Sequence, residues 1–320
     1  MLAIALSLSQ GAVRIDAGEL WRALLGEATP LTATLLFDLR LPRVLQAAVI
    51  GALLALTGTL SQGLFRNPLA DPSLIGVTGG ASLGGALVLA SGVALGAGEP
   101  LWISAGAFAG GLGASWLVYR IARSVTGTSV ATLLLAGVAI TAMAGALVSL
   151  LEIAVDNATL RRVGLWRLGS LAGAGTQSLA IASLALLVVA IAAAPLRNLL
   201  NALLLGEAEA GHLGYRVDRA KTLLMALVAA GMGVTVALAG AIAFVGLVVP
   251  HMVRLYSGPE HHALLPRATL LGAIVLVLAD LLSRVALAPA ELPLGVVTAL
   301  LGVPYFLFLL RRHVARVVSL

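Results

Sequence analysis

Long uncharged runs alternate with short polar punctuation along this chain. Uncharged or nearly uncharged stretches cover Val44–Phe65, Ser73–Gly98, Leu101–Tyr119, Ser129–Leu151, Gln177–Pro195 and Ala268–Ala279. Most approach the ~20 residues that cross a ~30 Å hydrocarbon core as a helix, so each is predicted to be a span. Two segments do not parse as single spans. Thr222–Pro250 holds 29 uncharged residues, and Gly240, Gly246 and Pro250 predict a helix, a turn, and a second helix running through His251 towards Tyr256. Ala286–Leu310 contains Pro289, Glu291, Pro293 and Pro304 and reads as broken backbone. Such backbone at membrane depth is tolerated only where protein buries it or water lines it. Broken helices in both halves of a chain are the mark of a translocation path.

The polar punctuation is as informative. Gly206–Lys221 is the most polar window of its length: seven of its sixteen residues are Glu207, Glu209, His212, Arg216, Asp218, Arg219 and Lys221. A short acidic Ala/Glu helix stopped by glycine between two spans suggests a handle for a soluble partner; an ordinary solvated loop is the plainer reading. Gly11–Asp38 reads as an interfacial loop with a short helix around Ala17–Leu25. Arg40-Leu-Pro-Arg43 opens the next span, with Pro42 in its first turn, where a missing N–H costs nothing. Arg66-Asn-Pro-Leu-Ala-Asp-Pro72 closes that span in a non-helical loop. Met1–Ser9 is apolar, lacks a basic leader and is too short to span; it reads as the tail of a span.

Composition agrees with the pattern. Hydrophobic residues make up 60% and charged residues 11% of the 320, against roughly 25% charged in a soluble domain. Glycine, at 36 residues, suits close helix approach in lipid, and the alternating strands of a β-barrel are not visible. The fold class is therefore an all-α polytopic membrane protein, read as a single transmembrane domain over residues 1–320. The net charge of +6 is carried by arginine, with Lys221 the only lysine. That pattern points to lipid head groups and orientation signals rather than nucleic acid. The absence of cysteine excludes disulfides and thiolate metal sites. With Gly206–Lys221 inside, twelve Arg/Lys fall on the cytoplasmic side and eight outside, which favours that orientation.

Several stretches together resemble the membrane-spanning permease subunits of the ATP-driven importers for cobalamin, haem and ferric siderophores. They are Arg40-Leu-Pro-Arg43, Asn67-Pro-Leu-Ala-Asp-Pro72, Leu133-Leu-Leu-Ala-Gly-Val-Ala139, Val236 to His251 (VALAGAIAFVGLVVPH), Leu278-Ala-Asp280 and Glu291-Leu-Pro-Leu-Gly-Val-Val-Thr298. The resemblance implies about ten spans, the first reduced here to a stub. It also implies a homodimer, two copies of a cytoplasmic ATP-binding subunit, a periplasmic substrate-binding protein and a multi-pass location in the bacterial inner membrane. No phosphate-binding Gly-x-x-x-x-Gly-Lys-Ser/Thr loop occurs in the chain, so ATP hydrolysis is expected on a partner and the chain is not read as an enzyme. No cofactor and no metal site are expected.

Site residues follow residue by residue. Arg40 and Arg43 share a helix face and, with Arg284, match the positions that dock the binding protein; anchoring at lipid phosphates is the plainer alternative. Asn67, Pro68 and Leu69 match one cytoplasmic gate, and Thr128 and Ser129 fall near the second. Glu207, Ala208, Gly211, His212, Leu213 and Gly214 match the segment that couples to the ATPase. Glu207–Gly211 is expected to form one short helix, and Leu213-Gly214 the bend into a second. Asp280 and Arg284, four apart, read as a supporting ion pair; the alternative is a proton-relay carboxylate in a secondary transporter. His212, His251, His261, His262 and His313 read as loop residues. Trp166-Arg-Leu-Gly-Ser-Leu171 reads as an external loop facing the ligand, and its likeness to haem and siderophore permeases favours haem or another iron chelate, with cobalamin or a ferric siderophore as alternatives.

Overall fold

The computed structural model describes residues 2–11, 13–92, 99–124 and 127–318. The chain runs through α1 (Leu2–Ser9), α2 (Ala17–Leu24), α3 (Pro30–Ala33), α4 (Leu41–Leu64), α5 (Val77–Ala90) and α6 (Glu99–Ala122). A two-residue hairpin, β1 (Arg123–Ser124) and β2 (Gly127–Thr128), leads to α7 (Val130–Ala154), α8 (Asn157–Arg167), α9 (Thr176–Ala193) and α10 (Arg197–Leu203). Then come α11 (Glu207–His212), α12 (Val217–Ala239), α13 (Val245–Ser257), α14 (His261–Val285) and α15 (Leu294–Val318). The side chains of Arg312, His313 and Arg316 lie outside the described residues.

Among the described residues, six helical segments are long and apolar enough to cross a membrane: Pro30–Leu64, Glu99–Ala122, Val130–Ala154, Thr176–Leu203, Val217–Ala239 and His261–Val285. Three segments depart from the expected spans. The span expected from Val44 begins at Pro30, so Arg40 and Arg43 stand inside a continuous helix rather than at its start. Pro42 follows a π-helical turn, Thr34–Arg40, in which the Leu41 N–H reaches back to the Leu36 carbonyl. The wider turn accommodates a residue that has no N–H to donate. The expected span from Ser73 is helical over a shorter stretch: Pro72–Ile75 forms a 3₁₀ turn and α5 has only 14 residues, about 21 Å of rise. The stretch over residues 286–293 is irregular as expected, but α15 then runs unbroken past Pro304. Thr222–Pro250 folds as expected, into α12, an irregular turn over 240–244, and α13.

α4 is the core. Almost its whole length from Val44 is buried, enclosed by α9, α12, α13 and α14. Glycine permits this: a Cβ at Gly51 would overlap the Gly272 carbonyl of α14, and one at Gly58 the Gly246 carbonyl of α13. A second seam pairs Gly80 and Gly84 of α5 with Gly110 and Gly106 of α6. The second seam has small-x-x-x-small spacing on both helices, the arrangement that lets helix backbones touch where lipid supplies no hydrophobic drive. Two buried hydroxyls inside α4 are satisfied locally, Thr57 and Thr59 donating back to the Leu53 and Ala55 carbonyls, and Gln62 Nε2 donates across to the Leu247 carbonyl of α13.

Candidate functional site

Three constellations stand out: a charged cluster at one end of α4 and α14, a polar junction around α11, and a concave wall beneath α8. At the first, Asp280 is fully buried, and each of its oxygens accepts from a different guanidinium. Arg43 Nε lies 2.9 Å from Oδ1, and Arg284 Nε lies 3.0 Å from Oδ2. Arg43 also grips Glu291 with two bonds of 2.9 Å. The expected Asp280–Arg284 ion pair is present, with a second arginine added. Arg40 and Arg284 are also held by backbone carbonyls. Arg284 donates to the Ser7 and Gln10 carbonyls, each at 3.0 Å, and Arg40 to those of Leu8 and Val13. These carbonyls lie at the end of α1, where backbone acceptors have no helical partner and cations are favoured. Arg40 and Arg284 are consequently only 9% and 8% exposed. The second oxygen of Asp280 is what a relay carboxylate would need to keep free, and Arg43, 237 residues away in sequence, occupies it.

The polar window folds into α11, with Gly206 before it and Gly214 in the left-handed region (φ +88°) after it. Helix and bend fall where expected. Leu213 at the tip is 62% exposed, and Ala208, Gly211 and His212 are exposed with it. Glu207 points the other way. Its Oε2 lies 2.5 Å from Lys221 Nζ and its Oε1 3.7 Å from Arg66. Lys221, 3% exposed, also donates to the Thr128 carbonyl at 3.0 Å. Asp218 accepts from the Thr128 N–H at 3.2 Å. Both backbone groups of Thr128 are thus held by α12, and Ser129 caps α7 by accepting from the Thr132 N–H. Thr128, Ser129, Glu207, Ala208 and Gly211 line one cavity of about 460 Å³. Asn67 makes a tight turn of its own, its Oδ1 accepting from the Leu69 N–H at 2.9 Å. It follows Arg66, whose left-handed backbone (φ +49°) turns the chain out of α4. The Asn67–Leu69 turn and Thr128 are therefore linked through Arg66, Glu207 and Lys221. Sequence reasoning assigns no such role to Lys221 or Arg66; a lone lysine at the edge of a span is the available signal.

Deleting Glu207 strands a buried ammonium, whereas deleting Lys221 leaves a half-exposed carboxylate that still meets Arg66. Glu207→Ala should therefore destabilise the protein by about 2 kcal/mol and Lys221→Met by less. The double variant should recover part of the loss, read by thermal unfolding in detergent.

The third constellation joins three breaks in the chain. The Leu294 and Gly295 N–H groups at the start of α15 donate to the Gly169 and Leu168 carbonyls at 2.9 and 3.0 Å, and the Ser170 N–H donates to Ala239 at 2.9 Å. Beside them Phe244 takes a left-handed backbone (φ +67°), which costs of order 1 kcal/mol for a residue with a Cβ. Its ring packs on Phe306. The Trp166–Leu171 stretch is not all loop: Trp166 and Arg167 close α8, and residues 168–171 are irregular. Trp166 lies on α8 with its ring against Gly85 of α5, and Leu171 is buried. Leu165 and Leu168 face the open side, lining a cavity of about 700 Å³.

The histidines are not all loop residues. His212, His251 and His262 lie on helices, and His261, at the start of α14, is fully buried with Nδ1 2.9 Å from Asn201. Among the described residues no group of three or more His, Asp or Glu is placed to hold a metal. Glu260, just ahead of α14, accepts from the His262 and Ala263 N–H groups and the Asn201 amide. The His262 bond first, then Asn201, hold its carboxyl below the usual range.

The comparisons with known proteins agree with this architecture. The chain is 43% identical over 311 residues to the hemin transport system permease protein HmuU of Yersinia pestis, covering 96% of this chain and 91% of that one. It is 41% identical over 312 residues to the vitamin B12 import system permease protein BtuC of Vibrio cholerae, covering 98% and 93%. A solved inward-facing structure of a metal-chelate type ABC transporter superposes with a TM-score of 0.86 at 32% identity, covering 97% and 96%. The sequence profile of the FecCD transport family matches residues 1–312. Long apolar spans broken at the Gly240 and Leu294 junction, and relatives that are importer permeases over nearly their full length, lead to one conclusion: the chain is a multi-pass ABC importer permease and belongs to the FecCD transport family.

Proposed function

We propose that this permease carries haem or another iron chelate from periplasm to cytoplasm by alternating access, as a homodimer in the bacterial inner membrane. Its partners in this reading are two cytoplasmic ATP-binding subunits, which hydrolyse the ATP, and a periplasmic binding protein. The observation that carries the coupling is α11. Its outer surface offers the exposed Leu213 as an apolar knob for an ATPase groove, and its inner surface is bonded through Glu207 and Lys221 to the Thr128 backbone. A push on α11 thus reaches both the Asn67–Leu69 and the Thr128–Ser129 segments, which we assign as the two cytoplasmic gates. Docking of the binding protein is assigned to the face bearing Arg40, Arg43 and Arg284, where acidic side chains compete with the α1 carbonyls for the guanidinium donors.

Haem is placed first because the hemin permease matches at 43% identity over 96% of this chain, and a corrinoid second because cobalamin permeases match at 43% over 87% of it and at 41% over 98%. The test is uptake in sealed vesicles carrying the permease, its ATPase and its binding protein. Uptake that requires ATP and ignores a proton gradient supports the reading; uptake that follows the gradient without ATP sinks it. Leu213→Asp puts a charge on the knob and should lower ATPase association and uptake about tenfold or more, as for an interface anchor losing some 2 kcal/mol, while leaving the thermal midpoint of the permease alone unchanged. Full retention of both would return Gly206–Lys221 to the status of an ordinary solvated loop.

A further inference from the structure

The cavity beneath α8 carries a charge that the fold does not use. Three arginines lie on α8. Arg162 is paired with Glu99, and Arg167 with Glu152 at 3.0 Å through one nitrogen. Arg161 is exposed and has no hydrogen-bond or ion-pair partner among the described residues. Arg161 and Arg167 both line the cavity of about 700 Å³, opposite Thr78 and Ser82 of α5 and Thr141 of α7. The buried Thr78 hydroxyl also lacks a hydrogen-bond partner among the described residues. Two guanidiniums against the single carboxylate of Glu152 leave this wall with excess positive charge. The backbone positions of Arg161 and Arg167 are about 9 Å apart along the helix axis.

The cavity does not end at Arg167. Arg167, Leu168 and Ala241 also border a second cavity of about 500 Å³, whose far side is Val296, Ala299 and Leu300 of α15. A chamber carrying two arginines and three hydroxyls on an otherwise apolar wall therefore opens past Arg167 into an almost wholly apolar slot. Guanidinium donors match carboxylates in a planar, two-point geometry, and the slot suits a flat or bulky apolar body. An anchor at lipid phosphates would need neither the hydroxyl wall nor the slot.

We propose that Arg161 and Arg167 form an anion subsite that receives the carboxylates of an amphiphilic chelate during passage, its apolar body lying towards α15. The assignment of the ligand as cargo rests on the importer reading; the anion site itself does not. It favours carboxylate-bearing chelates over ligands whose polar groups are neutral amides.

The test compares hemin with hemin dimethyl ester, which differ only in the two carboxylates, by tryptophan-fluorescence titration of the full chain in phosphatidylcholine nanodiscs. Acid and ester partition differently into lipid, but that difference is common to all variants and cancels when the acid-to-ester affinity ratio is compared between them. The acid is expected to bind the wild type about tenfold or more tighter than the ester. That ratio should fall towards one in Arg161→Gln and stay in Arg161→Lys, variants at a side chain on which no internal contact depends. Arg167→Gln should lower it too. An equal ratio in wild type and Arg161→Gln overturns the proposal. A ratio that vanishes when phosphatidylglycerol replaces phosphatidylcholine assigns the arginines to lipid heads and overturns it as well. ATP-driven uptake by the assembled complex is measured in parallel. Uptake without acid/ester discrimination removes the subsite and keeps the importer, whereas discrimination without ATP-driven uptake keeps the subsite and removes the importer reading.

Discussion

Asp280→Asn should destabilise the protein by about 3–5 kcal/mol, the cost of leaving a buried charge without its partner. Arg43 retains Glu291 after the change, so the orphan is Arg284. Its remaining donors reach only the neutral Ser7 and Gln10 carbonyls and the Ser7 hydroxyl. Asparagine can still accept one bond but supplies no charge. Loss of Asp280 should therefore loosen α1 from α4 and α14 together. Thermal unfolding in detergent measures the drop, and Asp280→Asn combined with Arg284→Gln should recover part of it, since paired groups are not additive. A loss below about 1 kcal/mol would class the cluster with exposed pairs instead. Among molecules that remain folded, substrate-stimulated ATPase activity of the assembled complex should persist. A secondary transporter with Asp280 as its proton relay would instead lose transport outright.

Gly58→Val should prevent folding or cost at least about 3 kcal/mol, above the usual range for overpacking because the opposing atom belongs to backbone. The new Cβ would overlap the Gly246 carbonyl, carbon and Cα of α13, and none of these can rotate aside as a side-chain tip could. Separating α4 from α13 would also displace the 240–244 turn that sets the floor of the α8 cavity. Gly113→Ala is the control, because nothing lies within 4 Å of a Cβ there. It should be neutral, or stabilising by about 0.5–1 kcal/mol through lower helix entropy cost. Equal expression and thermal midpoints for the two variants would show that the glycine seam does not hold the core.

The broken backbone was legible at Thr222–Pro250, where 29 uncharged residues exceed one span and Gly240 supplies a left-handed turn (φ +69°). The same logic failed at Ser73–Gly98. Absence of charge says that a segment tolerates lipid, not that its backbone is helical, and Pro72 and Gly76 shorten α5 to 14 residues. It failed in the opposite sense before Val44. Asp38, Arg40 and Arg43 ended the uncharged run, yet the helix continues back to Pro30, because Arg43 is ion-paired with Asp280 and Glu291 and Arg40 is hydrogen-bonded to backbone carbonyls, partners that hydropathy cannot see. Trp166 was misplaced for a related reason. Its surroundings in sequence are polar, with Arg161, Arg162 and Arg167, but its ring has Gly85 of α5 beneath it.

What the sequence by itself determined is the class, most of the spans, the short α11 helix with its glycine bend and the resemblance to importer permeases. These follow from terms that add along the chain: the cost of carrying charge into hydrocarbon, and the turn preferences of glycine and proline. Tertiary structure alone decided which charges are spent and which remain available. Arg43 meets Asp280 across 237 residues and Lys221 meets Thr128 across 93, while Arg161 has no such partner among the described residues. Pairing energy falls off with distance in space, not in sequence. The same residue type therefore becomes a helix cap at Arg284, a structural bridge at Arg43 and an open cation at Arg161.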